Sequence, residues 1–368
     1  MRILQVEKQR WSAGQVQQDI LLAKGLHERG HEVVMVCQPG SKIGGYAAEA
    51  GIEVLYLSME KWRLFTSAVR LALYLWKNPY DIIHPHGARD HILSVIAHYL
   101  SPGGKVIRTK HNVTPLRNGY LLYNLLTHNL IGISRASCEA LQKGGVPSEK
   151  IHHVYDGVDL SDFTPKPPEP AILKELGISP GDFVIGTLGR LSSRRKNISG
   201  LLHAAVDILK QVPHARFILA GNTGQDIIDL ADTLGVSDRV IFAHFRTDVP
   251  DILACMDLYV QPSLTEGLGS AMVQAMAMGK PIVGSRTGGI REAVIEGETG
   301  LLCEVDELAP TIIRGINDPQ MLQQMGLRGR ERALKLFDLE RMIDETEEVY
   351  GVTLRHKGTE AQSNKGIE

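Results

Sequence analysis

The feature that most constrains this chain is the run from Leu258 to Val283. Leu258-Tyr259-Val260 is an uninterrupted apolar triplet of the kind a parallel strand buried on both faces carries. Pro262-Ser263-Leu264-Thr265-Glu266-Gly267-Leu268-Gly269 follows as a loop punctuated by glycine. From Ser270 Ala, Met and Val recur at helical spacing, and Ile282-Val283 opens another apolar run. A strand, a loop and a helix N-terminus in that order collect free backbone N–H groups and the positive end of a helix dipole, which suits a phosphate or another anion. Glu266 lies on the loop, where its carboxylate can accept hydrogen bonds from hydroxyl groups. Gln274 lies a little over two turns further on, at ~3.6 residues per turn, on a face near the loop.

The same alternation recurs along the 368 residues, enough chain for two domains with cores of their own. Residues 2–6 predict a first strand, 15–29 a helix with Ile20, Leu21, Ala23 and Leu26 at helical spacing, Gly30 its stop, and 32–37 a second strand. Further strands are predicted at 52–57, 82–84, 105–109 and 130–133. Pro165-Lys166-Pro167-Pro168-Glu169-Pro170 is too rich in proline for helix or inner strand and reads as a linker, beyond which strands are predicted at 183–188, 217–221, 240–242, 258–260 and 282–283. Strands alternating with helices build parallel sheets covered on both faces. The expected fold is therefore α/β, with doubly wound Rossmann-like domains at 1–165 and 166–337 and a polar, flexible tail at 353–368.

In an open parallel sheet, ligands bind beyond the carboxyl ends of the strands. His84 and His86 end one strand and His111 follows the next, so all three occupy site positions. Two histidines at i and i+2 also suit a metal, but no third ligand cluster accompanies them and none is expected. Arg89, Asp90 and Arg108 either meet an acceptor or pair with one another. The first loop lacks Gly-x-Gly-x-x-Gly, so the nicotinamide fingerprint is absent.

The segment 61–77 interleaves Trp62, Leu64, Phe65, Val69, Leu71, Leu73, Leu75 and Trp76 with Lys61, Arg63, Arg70 and Lys77. It is either a basic amphipathic helix on an anionic bilayer surface or, the plainer reading, a helix covering the sheet. Through Pro165 there are 18 Lys and Arg against 14 Asp and Glu, whereas the whole chain has a formal charge of -2. The first half is thus mildly basic, a surface of mixed charge that calls for no nucleic acid. No run approaches the ~18 apolar residues of a membrane span. The chain opens directly into a strand, and Cys37, Cys138, Cys255 and Cys303 form no Cys-x-x-Cys pair. Buried thiols in a reducing, cytoplasmic setting are expected, at the inner face of the plasma membrane if the basic helix docks there.

Together these motifs resemble the retaining glycosyltransferases of family 4, nucleotide-sugar enzymes of the GT-B fold, in which two Rossmann-like domains face a cleft. The family signature is a glutamate, seven residues and a second glutamate, set in Ser-x-x-Glu-Gly-Phe-Gly and followed by Glu-Ala-Met-Ala-x-Gly-x-Pro-Val-Val. Here Leu268 replaces the phenylalanine and Gln274 the second glutamate. Val154-Tyr155-Asp156-Gly157-Val158-Asp159, Gly221-Asn222-Thr223-Gly224 and Thr287-Gly288-Gly289-Ile290-Arg291-Glu292 also take family forms.

The resemblance implies roles residue by residue. Arg190 and Lys196 grip the donor diphosphate, Glu266 meets a donor-sugar hydroxyl, and Gln274 holds the ribose. Gly267, Leu268 and Gly269 line the donor, and loop 243–248 takes its base. Gly14, in Trp11-Ser12-Ala13-Gly14-Gln15, keeps one glycine of the family Gly-Gly loop. His111 approaches the donor sugar, and His84 and His86 take the family His-x-His, where a scaffold role stays open; His86 and Arg108 are candidate substrate contacts. Asn197 replaces a glycine that asparagine can mimic at a positive φ, and a terminal helix at 338–352 crosses back to the first domain. The implied reaction moves a sugar from a nucleotide-sugar donor to a hydroxyl of a sugar or lipid-linked glycan acceptor with retained configuration, in lipopolysaccharide or other surface-glycan assembly. No cofactor is implied, and with no Asp-x-Asp in the chain no metal-bridged diphosphate. Two rivals stay open: a sugar-nucleotide epimerase on the same fold, and an inactive nucleotide-sugar-binding regulator, to which Gln274 points.

Overall fold

The computed structural model describes residues 1–9, 14–114 and 121–363. The Trp11-Ser12-Ala13 part of the first loop therefore lies outside the described residues, and Gly14 is the first residue of the helix Gly14–Glu28. The chain divides into two compact units, Met1–Gly157 with Leu339–Glu368, and Val158–Asp338.

The first unit is built on seven strands: β1 (Arg2–Glu7), β2 (Glu32–Cys37), β3 (Glu53–Tyr56), β4 (Ile82–Pro85), β5 (Lys105–Lys110), β6 (Asn129–Gly132) and β7 (Ile151–His153). They lie in the order β3-β2-β1-β4-β5-β6-β7, and the neighbouring pairs are parallel. Successive residues of a strand face opposite sides, so Ile3 joins one core and Leu4 the other. Ile3, Met35 and Ile82 pack with Leu26, Ile343 and Tyr350 from the helices Gly14–Glu28 and Leu339–Ser363. Leu4, Val36 and Ile83 pack with Leu71, Leu75 and Leu93 from the helices Leu64–Lys77 and Ala88–Tyr99.

Three expectations are revised here. The boundary falls at 157/158 rather than 165/166, because Val158 and Phe163 are buried and the Val158 amide bonds the Phe337 carbonyl at 2.8 Å. The last helix does not give way to a loose tail at 353 but runs to Ser363. Thr353 is buried and its hydroxyl accepts from Asn129 Nδ2 at 2.7 Å, so the buried face continues past the point where composition turns polar. Segment 61–77 covers the sheet, as the plainer reading expects, but also carries exposed apolar side chains. Ser67, Ala68, Leu71, Ala72 and Leu75 are buried against the sheet, while Trp62, Phe65, Leu73 and Trp76 are 74%, 67%, 60% and 61% exposed.

The second unit has six strands: β8 (Phe183–Gly189), β9 (Ala215–Gly221), β10 (Val240–His244), β11 (Leu258–Gln261), β12 (Ile282–Ser285) and β13 (Leu301–Cys303). Their order is β10-β9-β8-β11-β12-β13, again with parallel neighbours. In each sheet the strand order reverses at one point, between β1 and β4 and between β8 and β11. In open parallel sheets, ligands bind outside the carboxyl ends of the strands at such reversal points. Among the described residues no helix is long and apolar enough to cross a membrane.

Candidate functional site

At the β8/β11 switch point the opening run folds as the sequence predicts. Gly269 takes φ +96 and opens the helix Ser270–Ala277 without a side-chain cap; the Met272 amide bonds the Gly269 carbonyl at 2.8 Å, and the amides of Ser270 and Ala271 before it are the ones available to an anion. Glu266 Oε2 accepts from Lys196 Nζ at 2.6 Å, Gln261 Nε2 at 3.0 Å and Ser263 Oγ at 3.1 Å. Gln261 is held in turn by the hydroxyl of Tyr259, which donates to its Oε1 at 3.0 Å. Three donors converge on one oxygen and orient the carboxylate, and none of these bonds uses Oε1, the oxygen left to meet a hydroxyl.

Arg190 is exposed just past β8 and makes no ion pair among the described residues. Lys196, by contrast, is already paired with Glu266. Asn197 adopts φ 53, ψ 41, the left-handed conformation in which asparagine stands in for glycine. The two loops are tied by a backbone bond from the Leu264 amide to the Arg195 carbonyl at 2.8 Å.

Gly288 and Gly289 have a use that the sequence did not separate. A Cβ at Gly288 would lie 2.0 Å from the Glu266 carbonyl oxygen, and one at Gly289 2.0 Å from that of Gly267. Their backbones support the Glu266 loop directly. Leu268 is 1% exposed, so the residue replacing phenylalanine packs inward and offers a ligand backbone only, as do Gly267 and Gly269. Gln274 is half-buried on the helix, and its side-chain amide has no hydrogen-bond partner among the described residues.

At the β1/β4 switch point the structure assembles a cluster from three elements. Asp19 Oδ1 lies 2.9 Å from His86 Nδ1 and 3.2 Å from His111 Nε2, and His111 Nδ1 lies 3.6 Å from Asp156 Oδ1. Burial works against a charge on His111, but the Asp19 and Asp156 carboxylates outweigh it and raise its pKa to about 10. Burial likewise opposes ionisation of Asp19, and His86 and His111 overcome it, holding the carboxyl well below the usual range. At neutral pH His111 is thus a cationic hydrogen-bond donor, not a base.

Asp19, His86 and His111 also form a group whose ligand atoms lie within 4.8 Å of one another, where the sequence supplied no third partner for its histidine pair. In this arrangement the two carboxylates favour a cationic His111, which would have to lose a proton before it could ligate a metal. His84 is not part of the group. It is fully buried between Tyr350 (Nδ1 to hydroxyl, 2.6 Å) and Thr109 (Nε2 to Oγ1, 2.7 Å) and fastens the last helix to the sheet.

Glu7, at the end of β1, is pushed well above its ordinary pKa by burial and by the nearby Asp19 and Asp90. It lines a cavity of about 430 Å³ with His86, Arg89, Asp90, Arg108 and His111, within the ~300–1,000 Å³ of small-molecule sites. Arg108, 5% exposed, makes no ion pair with Asp90. Sequence reasoning missed Asp19, Gln261 and Tyr350. For Asp19 a signal existed: it stands three, four and seven positions before the buried Leu22, Ala23 and Leu26, an acid in the core-facing stripe of its helix.

Comparison with known proteins agrees with this architecture. The family described as Glycosyltransferase Family 4 matches residues 14–162, and that described as Glycosyl transferases group 1 matches residues 168–332. N-acetyl-alpha-D-glucosaminyl L-malate synthase of Bacillus anthracis is 26% identical over 356 residues, spanning 91% of this chain and 92% of that one. UDP-Gal:alpha-D-GlcNAc-diphosphoundecaprenol alpha-1,3-galactosyltransferase of Escherichia coli is 28% identical over 307 residues, 77% of this chain and 78% of that one. Among solved structures, Anabaena HepE in complex with UDP and glucose superposes with a TM-score of 0.85 at 23% identity, covering 96% of this chain and all of that one, a likeness of fold.

Proposed function

We propose, since the chain belongs to the GT-B glycosyltransferases of group 1 and family 4, that it moves a sugar from a nucleotide-sugar donor to a hydroxyl of a sugar or lipid-linked glycan with retention, in lipopolysaccharide or other surface-glycan assembly. The observation that carries this reading is Glu266, oriented by Lys196, Gln261 and Ser263 beside an uncapped helix N-terminus. Its Oε1 accepts from a donor-sugar hydroxyl. Arg190, Lys196 and the helix N-terminus meet the charge that grows on the departing diphosphate, so that preplaced positive groups stabilise the transition state without a metal or cofactor. In the other unit, cationic His111 is able to donate to a sugar hydroxyl, with Asp19 and Asp156 holding its ring. His86 and Arg108 serve the acceptor.

The exposed ridge of Trp62, Phe65, Leu73 and Trp76, with Lys61, Arg63, Arg70 and Lys77 along the same segment and no acid in it, fits an anionic bilayer surface: aromatic rings enter the interface and cations meet the headgroups. A lipid-linked acceptor would be met there.

Incubation with a panel of nucleotide sugars, UDP-sugars first, tests the reading by chromatography and NMR. Slow donor hydrolysis supports the transferase. A rearranged sugar nucleotide supports the epimerase, and binding without turnover the regulator.

A further inference from the structure

The cavity beside His111 contains a buried cation that makes no ion pair among the described residues. Arg108 on β5 is 5% exposed. Its Nη1 donates to the Tyr123 hydroxyl and lies 3.3 Å from His91 Nδ1, while its Nε, also buried, has no hydrogen-bond partner among the described residues. The state of His91 follows from its other side. Thr127 gives its hydroxyl proton to the Leu122 carbonyl at 2.6 Å, so it accepts from His91 Nε2 at 2.7 Å and Nδ1 is left as a bare acceptor. Burial and the neighbouring Arg108 hold His91 well below its ordinary pKa, which keeps it neutral. Both groups that hold Arg108 are therefore uncharged.

Of the nearby acids, Asp90 feels the Arg108 charge but makes no ion pair with it. Asp90 accepts from the Gly87 amide at 2.7 Å and the Lys8 amide at 3.4 Å, and Glu7 is displaced toward its neutral form. Lys110, 3% exposed, also bonds only neutral groups, Asn112 Oδ1 at 2.9 Å and the Thr114 carbonyl at 2.7 Å. Residues 115–120, Pro-Leu-Arg-Asn-Gly-Tyr, contain no acid. A buried cation without an ion-pair partner costs stability, and this one lines a cavity with Arg89 and Lys8 as well as Glu7 and Asp90. The helix Ala88–Tyr99 begins at the same wall.

We infer that Arg108 is the seat of an anionic oxygen group, a phosphate or a carboxylate, carried by the acceptor, so that the acceptor is an anion and not a neutral glycan. The guanidinium fork matches either group bidentately. Arg89 and Lys8 at the same cavity complete the positive lining. The inference rests on the acceptor binding in the Met1–Gly157 unit and on no assumption about the donor.

The test is a calorimetric titration of the full chain, with its nucleotide site first saturated with UDP so that Arg190 and its neighbours do not take the probe. Glycerol 3-phosphate and malonate are the anionic probes, glycerol the neutral control, and dihexanoyl phosphatidic acid below its micelle concentration the lipid form. Saturable binding of an anion and none of glycerol is expected, weakened roughly tenfold or more in Arg108→Met and less in Arg108→Lys. Arg108→Met should unfold at the same denaturant midpoint as the parent or a higher one, because a buried unpaired charge has gone. Tighter binding of the phosphatidic acid than of glycerol 3-phosphate assigns a lipid headgroup, and equal binding a soluble anion. Equal binding of anions by parent and Arg108→Met overturns the inference, as does no binding by either, or a large loss of stability in Arg108→Met with anion binding unchanged. If UDP itself fails to bind, the donor reading fails separately, and the same titration without nucleotide still compares parent with Arg108→Met.

Discussion

In the Val158–Asp338 unit the charged groups at the switch point are half-buried or exposed, and Lys196, Gln261, Ser263 and Glu266 gather from two loops next to the strands they follow. In the other unit Asp19, His86 and His111 come from a helix and two strand ends, and all are almost fully enclosed. The difference is one of energetics. The Lys196–Glu266 pair keeps 21% and 18% of its side-chain surface open to solvent, so water screens it in part and its residues can still reach a ligand. Buried charges must satisfy one another, and breaking one contact leaves another charge without its partner. The first arrangement can exchange partners for a diphosphate, while the second holds one ring in one charge state.

Asp19→Asn should break this comparison if it is wrong, and it carries the largest expected effect. Removing the carboxylate strands His86 and His111, at a cost of ~3–5 kcal/mol of stability. The pH dependence supplies a second readout. With the folded pKa of His111 raised from 6.5 to about 10, the folded state binds the extra proton through that window. This contribution is complete below pH 6.5 and lost as pH rises toward 10. Chemical denaturation across pH should show the decline in the parent and little of it in Asp19→Asn. A variant as stable as the parent with the same pH profile would mean the cluster is no ion pair.

In the other unit the same kind of change should cost ligand and spare the fold. Arg190→Ala and Lys196→Ala should each weaken binding of the free nucleoside diphosphate by ~1.5–3 kcal/mol, the worth of a charge-assisted contact, with denaturation midpoints near the parent's. Lys196→Ala should also slow transfer, since Glu266 loses its 2.6 Å partner. Glu266→Gln should transfer sugar far more slowly while folding normally. Calorimetry with the diphosphate decides the first pair, and unchanged affinity in both removes them from the site.

The same contrast explains what could be seen in the sequence. The Glu266 loop is contiguous, so its strand, glycines, acid and helix stand in order, and Asn197 at φ 53 is foreseeable from the family glycine it replaces. Asp19 could not be joined to His86 and His111, because only the β1/β4 adjacency brings them together. Strands β7 and β13, three residues each, are too short to show a period. Thr353 ended the predicted helix early because its partner Asn129 sits on a distant strand.

A smaller effect separates the units at their surfaces. The ridge of the helix Leu64–Lys77 should bind vesicles containing anionic lipid at low salt and release them as the Debye length shrinks to ~3 Å at 1 M. Trp62→Ala with Trp76→Ala should weaken sedimentation with vesicles several-fold without unfolding the chain, since both rings are mostly exposed. Self-association without lipid would instead make the ridge a face between copies.

The smallest effect is expected at Gln274, where the loop motif departs from its family. A glutamate there would accept two hydrogen bonds from the ribose, whereas the amide offers one acceptor oxygen and one donor group. Exchanging charged pairings for a neutral one gives up ~1 kcal/mol, a several-fold loss of donor affinity. The Gln274 amide is half-buried on the helix Ser270–Ala277, so it can donate to one hydroxyl and accept from the other without giving up a bond inside the protein. Gln274→Glu should therefore bind the ribonucleoside diphosphate at least as tightly as the parent, and Gln274→Ala less tightly. Comparing ribo and deoxyribo forms of the same diphosphate isolates the contact, because only a residue at the ribose senses the missing hydroxyl. If Gln274→Ala discriminates between the two forms as well as the parent does, Gln274 is not at the ribose, and the reading of an inactive binder gains the ground that the transferase loses.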